Sequence, residues 1–129
     1  MEFTDTQRKL LGRPVTAVLT TIGADGSPHS APTWFLFEDD VVVVTTSNIS
    51  NKVRNLGRKP EVSFTVFDPD NNLNYLEIRG TAETAPDTDH VALDRIAQLY
   101  GYPDGSGFVA PGTTRIKITI KPTRVTTYG

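Results

Sequence analysis

The sequence predicts a mainly β protein of the α+β type, in which six antiparallel strands form a barrel flanked by short helices. Six segments have the residue pattern of strands, and turn signals or short helical segments separate them. Several of these strands follow one another at hairpin spacing, which favours an antiparallel sheet over a parallel α/β sheet. Closing such a sheet into a barrel hides its edges.

A helix and three strands are predicted in the first part of the chain. Thr4 or Asp5 can cap the helix. Val15–Ile22 is rich in β-branched residues and apolar on both faces, as a strand with two buried faces is. Asp25-Gly26 is a hairpin turn signal, after which the chain returns as a strand. The predicted elements are a helix at Thr4–Gly12 and strands at Val15–Ile22, Ser27–Phe37 and Val41–Thr46.

The hydrophobic pattern changes from the strand period to the helix period after the third strand. Ile49, Val53 and Leu56 fall on one helical stripe, and Ser47 or Asn48 is a suitable N-cap. The later segments alternate apolar and polar residues, except for a second helical stripe that a glycine ends. The predicted elements are helices at Ser47–Lys59 and Thr88–Tyr100 and strands at Glu61–Asp68, Leu73–Thr84 and Thr113–Tyr128.

The length of the chain fits one domain. No repeat, linker or low-complexity tract divides it, so residues 1–129 are expected to form a single domain. Strands that are apolar on both faces need two partners, because only one face can fill the barrel. A helix or another subunit must cover the other face, and we therefore expect a homodimer.

Composition and charge exclude several classes of protein. The formal net charge of −2 provides no basic field for a nucleic acid. Cysteine is absent and histidine occurs twice, so neither a thiol nucleophile nor a metal site is expected. No apolar run reaches the roughly 20 residues of a membrane helix. Met1–Arg13 has no signal-peptide pattern, so we expect a cytoplasmic protein without a membrane partner.

No catalytic residue of the chain itself is predicted. The sequence has no Gly-x-Ser-x-Gly elbow, no histidine placed for a catalytic triad, and no pair of carboxylates that stands out. If the chain is an enzyme acting on a small molecule, a bound cofactor should carry the reaction.

A candidate phosphate site lies in Thr45–Asn55, where a strand rich in hydroxyl groups runs into a helix. The first turn of a helix leaves N–H groups unpaired and carries a partial positive charge. Lys52 and Arg54 add formal positive charge there, which suits a phosphate. An ordinary capped helix with solvated basic residues explains the same pattern, so both interpretations stay open at this point.

Two further segments are candidates for binding a planar ring. Ser30–Phe35 contains Pro32, which interrupts a ladder of backbone hydrogen bonds, and Trp34, which can stack on a ring. Tyr75 and Arg79 share one face of a later strand and can line a pocket. Trp34 can equally be a core or interface residue, and the later strand can equally carry ion pairs between strands on a solvated face.

Four segments of the chain carry the features of a known family, namely Val15–Phe35, Val41–Ser47, Asn51–Asp68 and Leu76–Thr81. The most diagnostic features are KVRNL at positions 52–56 and RKP at positions 58–60. Through these segments nearly the whole chain resembles the pyridoxamine-phosphate-oxidase-like split β-barrels. It is most similar to the small flavin- and deazaflavin-dependent oxidoreductases of actinobacteria.

The resemblance implies a homodimer of split barrels with two cofactor sites at the subunit interface. It implies that a strand-to-helix segment binds the cofactor phosphate, that the preceding strand supports the ring system, and that the second subunit closes the site. The residues so implied are Thr46, Ser47, Ser50, Asn51 and Lys52 for the phosphate, Ala31, Pro32, Thr33 and Trp34 for the ring, and Tyr75 and Arg79 from the second subunit.

Two departures from the family pattern bear on function. Many relatives carry a basic residue two positions before the lysine that matches Lys52, where this chain has Ser50. Binding of the phosphate is then weaker, or it depends more on Arg54 and on main-chain donors. The chain also lacks the longer C-terminal region that forms the pyridoxamine site of the true oxidases, so oxidation of vitamin B6 is not expected.

The resemblance implies an oxidoreductase that transfers hydride from reduced coenzyme F420, a deazaflavin, to a small conjugated acceptor. Two alternatives stay open. The first is the same fold with FMN as its cofactor. The second is a domain that only binds or stores a flavin or F420.

Overall fold

The computed structural model describes residues 2–128. The helices are α1 (Asp5–Leu11), α2 (Asn51–Arg58) and α3 (Val91–Leu99). The strands are β1 (Ala17–Ile22), β2 (Pro28–Thr33), β3 (Leu36–Glu38), β4 (Val41–Ser47), β5 (Glu61–Asp68), β6 (Asn71–Pro86) and β7 (Arg115–Tyr128). Short 3₁₀ turns lie at Thr88–His90 and Ser106–Phe108, on either side of α3. The predicted mainly β class with short helices is confirmed.

The strands form one antiparallel sheet in the order β2-β1-β5-β6-β7-β4-β3. The two edge strands, β2 and β3, are consecutive in the chain, and only Trp34 and Phe35 separate them. The sheet therefore curls until its two edges meet at these two residues, which we call the seam. Within the described residues no ladder of hydrogen bonds joins β2 to β3, so the barrel is split at the seam.

The prediction of six strands was wrong, because the sheet has seven. The predicted strand Ser27–Phe37 is divided at the seam into β2 and β3. The cause is a tertiary contact: the Phe35 N–H donates to the Tyr100 hydroxyl, with N and O 3.3 Å apart, instead of to a neighbouring strand. Because the Phe35 N–H is bound to this hydroxyl, it is not available to a neighbouring strand, and the strand ends there.

The inner face of the curled sheet encloses the hydrophobic core. Side chains alternate between the two faces of a strand, so every second strand residue points inward. Phe35 of the seam meets Phe64 of β5 edge to face, with ring centroids 5.0 Å apart. The seam is therefore anchored in the core even though no ladder closes it. The largest fully buried side chains include Phe35, Phe64, Leu11, Leu19, Leu76, Ile78, Ile118 and Ile120.

Two helices begin at side-chain caps. Thr4 caps α1 through a capping box, as predicted. The N-cap of α2 is Ser50, so the prediction of Ser47 or Asn48 was wrong. The reason is that Ser47 still pairs with Arg115 in the β4–β7 ladder, which delays the start of the helix. None of the helices within residues 2–128 is long and apolar enough to cross a membrane.

α3 packs against the outer face of β4. Its buried apolar residues are Ala92, Leu93, Ile96 and Ala97, and Val43 of β4 is buried on the same side. The Asp87 carboxylate anchors the start of the helix by accepting hydrogen bonds from the N–H groups of Ala92 and Leu93 at 3.0 and 2.9 Å. Part of the apolar outer face is thus covered by a helix.

The two longest strands, β6 and β7, change register between Arg79 and Gly80, opposite Pro122. A Cβ atom at position 80 would lie 2.1 Å from the Lys121 carbonyl oxygen, so only glycine permits this close approach. Pro122, which has no N–H to donate to the ladder, stands at this irregularity.

Candidate functional site

A cavity of about 490 Å³ opens at the seam, between the barrel and α3. It lies where hydrogen bonds do not close the sheet, and one side of α3 forms its apolar wall. Cavities of this size with apolar walls and a few polar groups are typical of small-molecule sites. We call it the seam cavity, and its lining residues are Thr16, Pro32, Thr33, Trp34, Thr45, Leu93, Ile96, Ala97, Phe108 and Arg115.

Trp34 is the centre of an aromatic cluster beside the seam cavity. Its ring stacks on the Tyr100 ring with centroids 4.5 Å apart and planes only 8° from parallel. Tyr102 lies 5.7 Å away in a tilted arrangement, and Phe108 meets Trp34 edge-on at 5.5 Å. One face of the indole is therefore occupied by Tyr100, so Trp34 can offer at most its other face to a planar ligand.

The Tyr100 hydroxyl joins three parts of the chain. It donates to the Val15 carbonyl oxygen at 2.5 Å and accepts a hydrogen bond from the Phe35 N–H. Burial raises the pKa of the Tyr100 phenol, and the hydrogen bond from Phe35 opposes that increase. Because the phenol stays protonated, the end of α3 is fixed to the seam and to the segment before β1.

Arg115, at the start of β7, brings a positive charge to the seam cavity. Its guanidinium donates to the Thr45 hydroxyl at 3.0 Å and to the Phe108 carbonyl oxygen at 3.4 Å. The Nε atom of Arg115 is the one buried side-chain nitrogen or oxygen without a hydrogen-bond partner among the described residues. Burial lowers the pKa of this guanidinium, and the charge of Asp87 counteracts the effect. The sequence pattern does not distinguish Arg115 from an ordinary basic residue of a strand.

The predicted phosphate segment forms the start of α2. The Ser50 hydroxyl accepts a hydrogen bond from the Lys52 N–H at 3.1 Å, as an N-cap does. The Lys52 side chain is half-buried, and this burial lowers the pKa of its ammonium group. Within residues 2–128 no carboxylate or carbonyl group accepts a hydrogen bond from that ammonium group. Asn51 accepts one from Arg54 at 2.5 Å, so the Arg54 charge is held beside the same turn.

Alternation along β4 separates two of the predicted phosphate residues. Thr46 shares the inward parity of Val44, whereas Ser47 shares the outward parity of Val43 and Thr45. Ser47 also pairs with Arg115. Ser47 and Arg115 therefore lie on the same face of the sheet, and Thr46 lies on the opposite face.

The structure brings only some of the predicted residues together. Pro32, Thr33 and Trp34 line the seam cavity, whereas Ala31 pairs with Leu19 of β1 outside its lining. Of the predicted phosphate segment, Thr45 lines this cavity, whereas Thr46, Ser47, Ser50, Asn51, Lys52 and Arg54 do not. Apart from Thr45, the predicted phosphate and ring residues therefore lie on different surfaces within one chain.

The two residues predicted to come from a second subunit lie on other parts of the surface. Tyr75 lines a second cavity, of about 630 Å³, between α1 and the β5–β6 turn. Arg79 is exposed and forms an ion pair with Glu77 at 3.2 Å. Neither residue lines the seam cavity of its own chain, and their role at a site shared between subunits stays a prediction.

Known proteins resemble this chain in sequence and in fold. A model of the family described as pyridoxamine 5'-phosphate oxidase matches residues 3–127. No curated protein matches the chain.

Several solved structures share the fold. A protein named F420 reductase is 29% identical, with 96% of this chain and 98% of that chain covered and a TM-score of 0.83. A conserved hypothetical protein from Mycobacterium tuberculosis is 24% identical over 99% of this chain and 86% of that chain, with a TM-score of 0.80. A heme storage protein from Vibrio cholerae is 16% identical over 100% and 96%, with a TM-score of 0.75. The last two similarities show the fold alone.

Proposed function

Because the chain belongs to the pyridoxamine 5'-phosphate oxidase family, we propose that it is an oxidoreductase that passes hydride from reduced coenzyme F420 to a small conjugated acceptor. The family includes oxidoreductases, and a protein named F420 reductase is among the similar structures. In this proposal the chain binds and orients both molecules and excludes water from the reacting atoms.

The observation that carries the proposal is the environment of Lys52. Its ammonium group is half-buried at the start of a helix, and burial lowers its pKa because no anion of the described chain compensates the desolvation. A buried charge of this kind costs free energy unless a ligand supplies the opposite charge. The first turn of a helix also leaves N–H groups without partners inside the helix, although Ser50 accepts the one of Lys52, so the residues present fit a phosphate.

Three other side chains support a phosphate at this position. Arg54 is held beside the turn by Asn51, and Ser47 ends the strand that leads into it. Ser50 already uses its oxygen as the helix cap, so its hydroxyl hydrogen is what remains for a ligand. Lys52 and Arg54 would hold the phosphate by charge, and Ser47 and Ser50 would orient it.

The seam cavity supplies a place for the acceptor. Among the described residues, its lining contains no Asp, Glu, His or Lys, so in this proposal the chain donates no proton. When bound, reduced F420 would supply the hydride and release a proton, and the acceptor would take its own proton from solvent. Pro32, Thr33 and Trp34 would keep the reacting molecules in contact along the seam.

A second copy of the chain completes the proposed site. Phe67 and Tyr75 are neighbours on the outer face of β5 and β6, and both are exposed large side chains. A homodimer that covers this face would bring Tyr75 and Arg79 toward the cofactor of the other subunit. This arrangement rests on the resemblance stated above and on the two exposed aromatic side chains, Phe67 and Tyr75.

Cofactor titration of the purified protein tests the proposal. Oxidised F420 should bind at micromolar concentration or below, with quenched or polarised fluorescence, and reduced F420 should be oxidised in the presence of quinone or enone acceptors. A protein purified with bound yellow flavin would favour FMN instead. If neither cofactor binds at micromolar concentration, the oxidoreductase proposal is wrong.

One observation favours a second function, which is binding or storage without turnover. The seam cavity, as the described residues form it, offers no side chain able to act as an acid or base near neutral pH. Binding of F420 or FMN without oxidation of the reduced form by any of the acceptors would support this alternative.

A further inference from the structure

The seam cavity combines apolar walls with a single cation. Trp34 and Phe108 contribute aromatic surface, and α3 contributes aliphatic surface from Leu93, Ile96 and Ala97. Of the ten described residues that line the cavity, Arg115 alone carries a formal charge. An anionic group on a flat apolar molecule is the ligand chemistry that matches such a lining.

Arg115 lacks the anionic partner that several other arginines have. Among the described residues, Arg8, Arg13, Arg79 and Arg95 each form an ion pair with a carboxylate, although all four are more than two-fifths exposed. Arg115 is only partly exposed, yet within residues 2–128 it forms no ion pair and binds only a hydroxyl and a carbonyl oxygen.

The nearest negative charge that acts on Arg115 is already engaged. Asp87 raises the pKa of Arg115 through its charge, but its two carboxylate oxygens accept the N–H groups of Ala92 and Leu93 at the start of α3. Arg115 is thus a partly desolvated cation whose Nε–H has no acceptor. Its guanidinium has five donors in a planar fork, a shape that matches the two oxygens of a carboxylate.

We infer that the seam cavity binds an aromatic or conjugated carboxylate, with the carboxylate on Arg115 and the planar body between Trp34 and the apolar side of α3. The Thr45 hydroxyl orients the guanidinium, since it accepts one of its hydrogen bonds. The volume of about 490 Å³ is within the range of small-molecule cavities. Only the further identification of this carboxylate as the hydride acceptor rests on the proposed function.

The binding test uses the cofactor-free protein and two probes of the same shape. The anionic probe is 4-methylbenzoate, and the neutral probe is 4-methylbenzamide. Trp34 is the single tryptophan of the chain and lines the cavity, so its fluorescence reports on occupancy, and calorimetry gives the affinity independently. The expected result is that the carboxylate binds at least tenfold more tightly than the amide and changes the Trp34 emission.

Variants test whether Arg115 causes the preference for the carboxylate over the amide. Arg115→Gln should lose the preference for the carboxylate, whereas Arg115→Lys should keep part of it because a charge remains without the planar fork. Arg124→Gln is the matched control, since Arg124 is exposed on the same strand. Circular dichroism and thermal melting check the folding of each variant. Equal affinity of the wild type for the two probes, or undiminished preference in folded Arg115→Gln, would overturn the inference.

A competition experiment separates the cavity from the cofactor site. Saturating F420 should not displace 4-methylbenzoate, and Arg115→Gln should leave the affinity for F420 within twofold of the wild type. If F420 displaces the carboxylate, Arg115 belongs to the cofactor site and the inference is wrong. If F420 does not bind at all while the carboxylate still binds through Arg115, the inference stands and the proposed function fails.

Discussion

The Asn55 amide nitrogen donates a hydrogen bond to the Thr21 hydroxyl oxygen at 2.9 Å, and both side chains are buried. The side-chain oxygen of Asn55, Oδ1, accepts a second hydrogen bond, from the Arg58 guanidinium at 2.8 Å. This pair fixes the middle of α2 to β1. Since Lys52 lies one turn before Asn55, the same bond sets the position of the proposed phosphate site on the barrel.

Replacing Thr21 with Val should lower the free energy of unfolding by about 1–3 kcal/mol, because the Asn55 amide would lose its buried acceptor. Urea denaturation measures this change. Thr81→Val is the matched control: Thr81 is an exposed strand residue, and its substitution should alter stability by less than about 0.5 kcal/mol. Equal effects of the two substitutions would mean that the Asn55–Thr21 bond contributes nothing to stability.

Removing the Lys52 charge should weaken cofactor binding while the fold persists. Lys52→Ala is expected to lose about 1.5–3 kcal/mol of binding free energy, as for a charge-assisted hydrogen bond. Fluorescence titration with F420 measures the loss. Lys59→Ala removes an exposed lysine just after the same helix and should bind normally. Normal binding by Lys52→Ala would show that the phosphate lies elsewhere.

Cofactor affinity should fall at alkaline pH, and earlier than an exposed lysine would predict. Burial lowers the pKa of Lys52, so its proton is lost at a lower pH than that of an ordinary lysine. The neutral amine no longer attracts a phosphate, and affinity decreases as pH rises through this lowered pKa. Lys52→Arg keeps its charge and should shift the decrease to higher pH. The same pH profile in both proteins would show that deprotonation of Lys52 does not cause the decrease in affinity.

Gly80→Ala should destabilise the protein by about 3 kcal/mol, since the new methyl group would overlap the Lys121 carbonyl oxygen and force β6 and β7 apart. Gly57→Ala serves as its counterpart. Gly57 lies within α2 with open space around it, so alanine there should stabilise the helix by up to about 1 kcal/mol. Thermal denaturation compares the two, and opposite signs are expected.

The protein should sediment as a homodimer. Phe67→Glu places a charge on the outer face of β5, beside Tyr75, and should shift the equilibrium toward single chains. Val91→Glu, at an exposed position of α3, is the control and should leave the association unchanged. Sedimentation equilibrium measures all three proteins. A wild type that sediments as one chain at micromolar concentration would exclude the proposed interface.

The sequence predicted strands and helices well where residues close together in the chain determine them. The cap of α1 at Thr4 is found as predicted. The division of Ser27–Phe37 could not be foreseen, because its cause is a hydroxyl from Tyr100, 65 residues away in sequence. The shifted cap of α2 has a similar origin, since Ser47 is retained in its strand by Arg115.

The candidate site was predicted only in part, because some of its residues are brought together by contacts between distant parts of the chain. Pro32 and Trp34 are conspicuous residues in a strand, and both line the seam cavity. Arg115 begins an alternating run, RIKITIK, in which a basic residue is the usual solvent-facing partner of isoleucine. Its partial burial arises only in the folded chain, where it donates to the Phe108 carbonyl oxygen and shares a cavity with α3.

The seam has a consequence for how a ligand reaches the cavity. Trp34 and Phe35 cross between the two sheet edges outside any ladder, and the Phe35 N–H is protected by a single phenol. Movement of the Tyr100 end of α3 would open the cavity while every strand pairing stays intact. In amide hydrogen exchange, Phe35 should therefore exchange with the last turn of α3 and well ahead of β5 and β6, so the ligand gate and the stable barrel are separate opening units of one small domain.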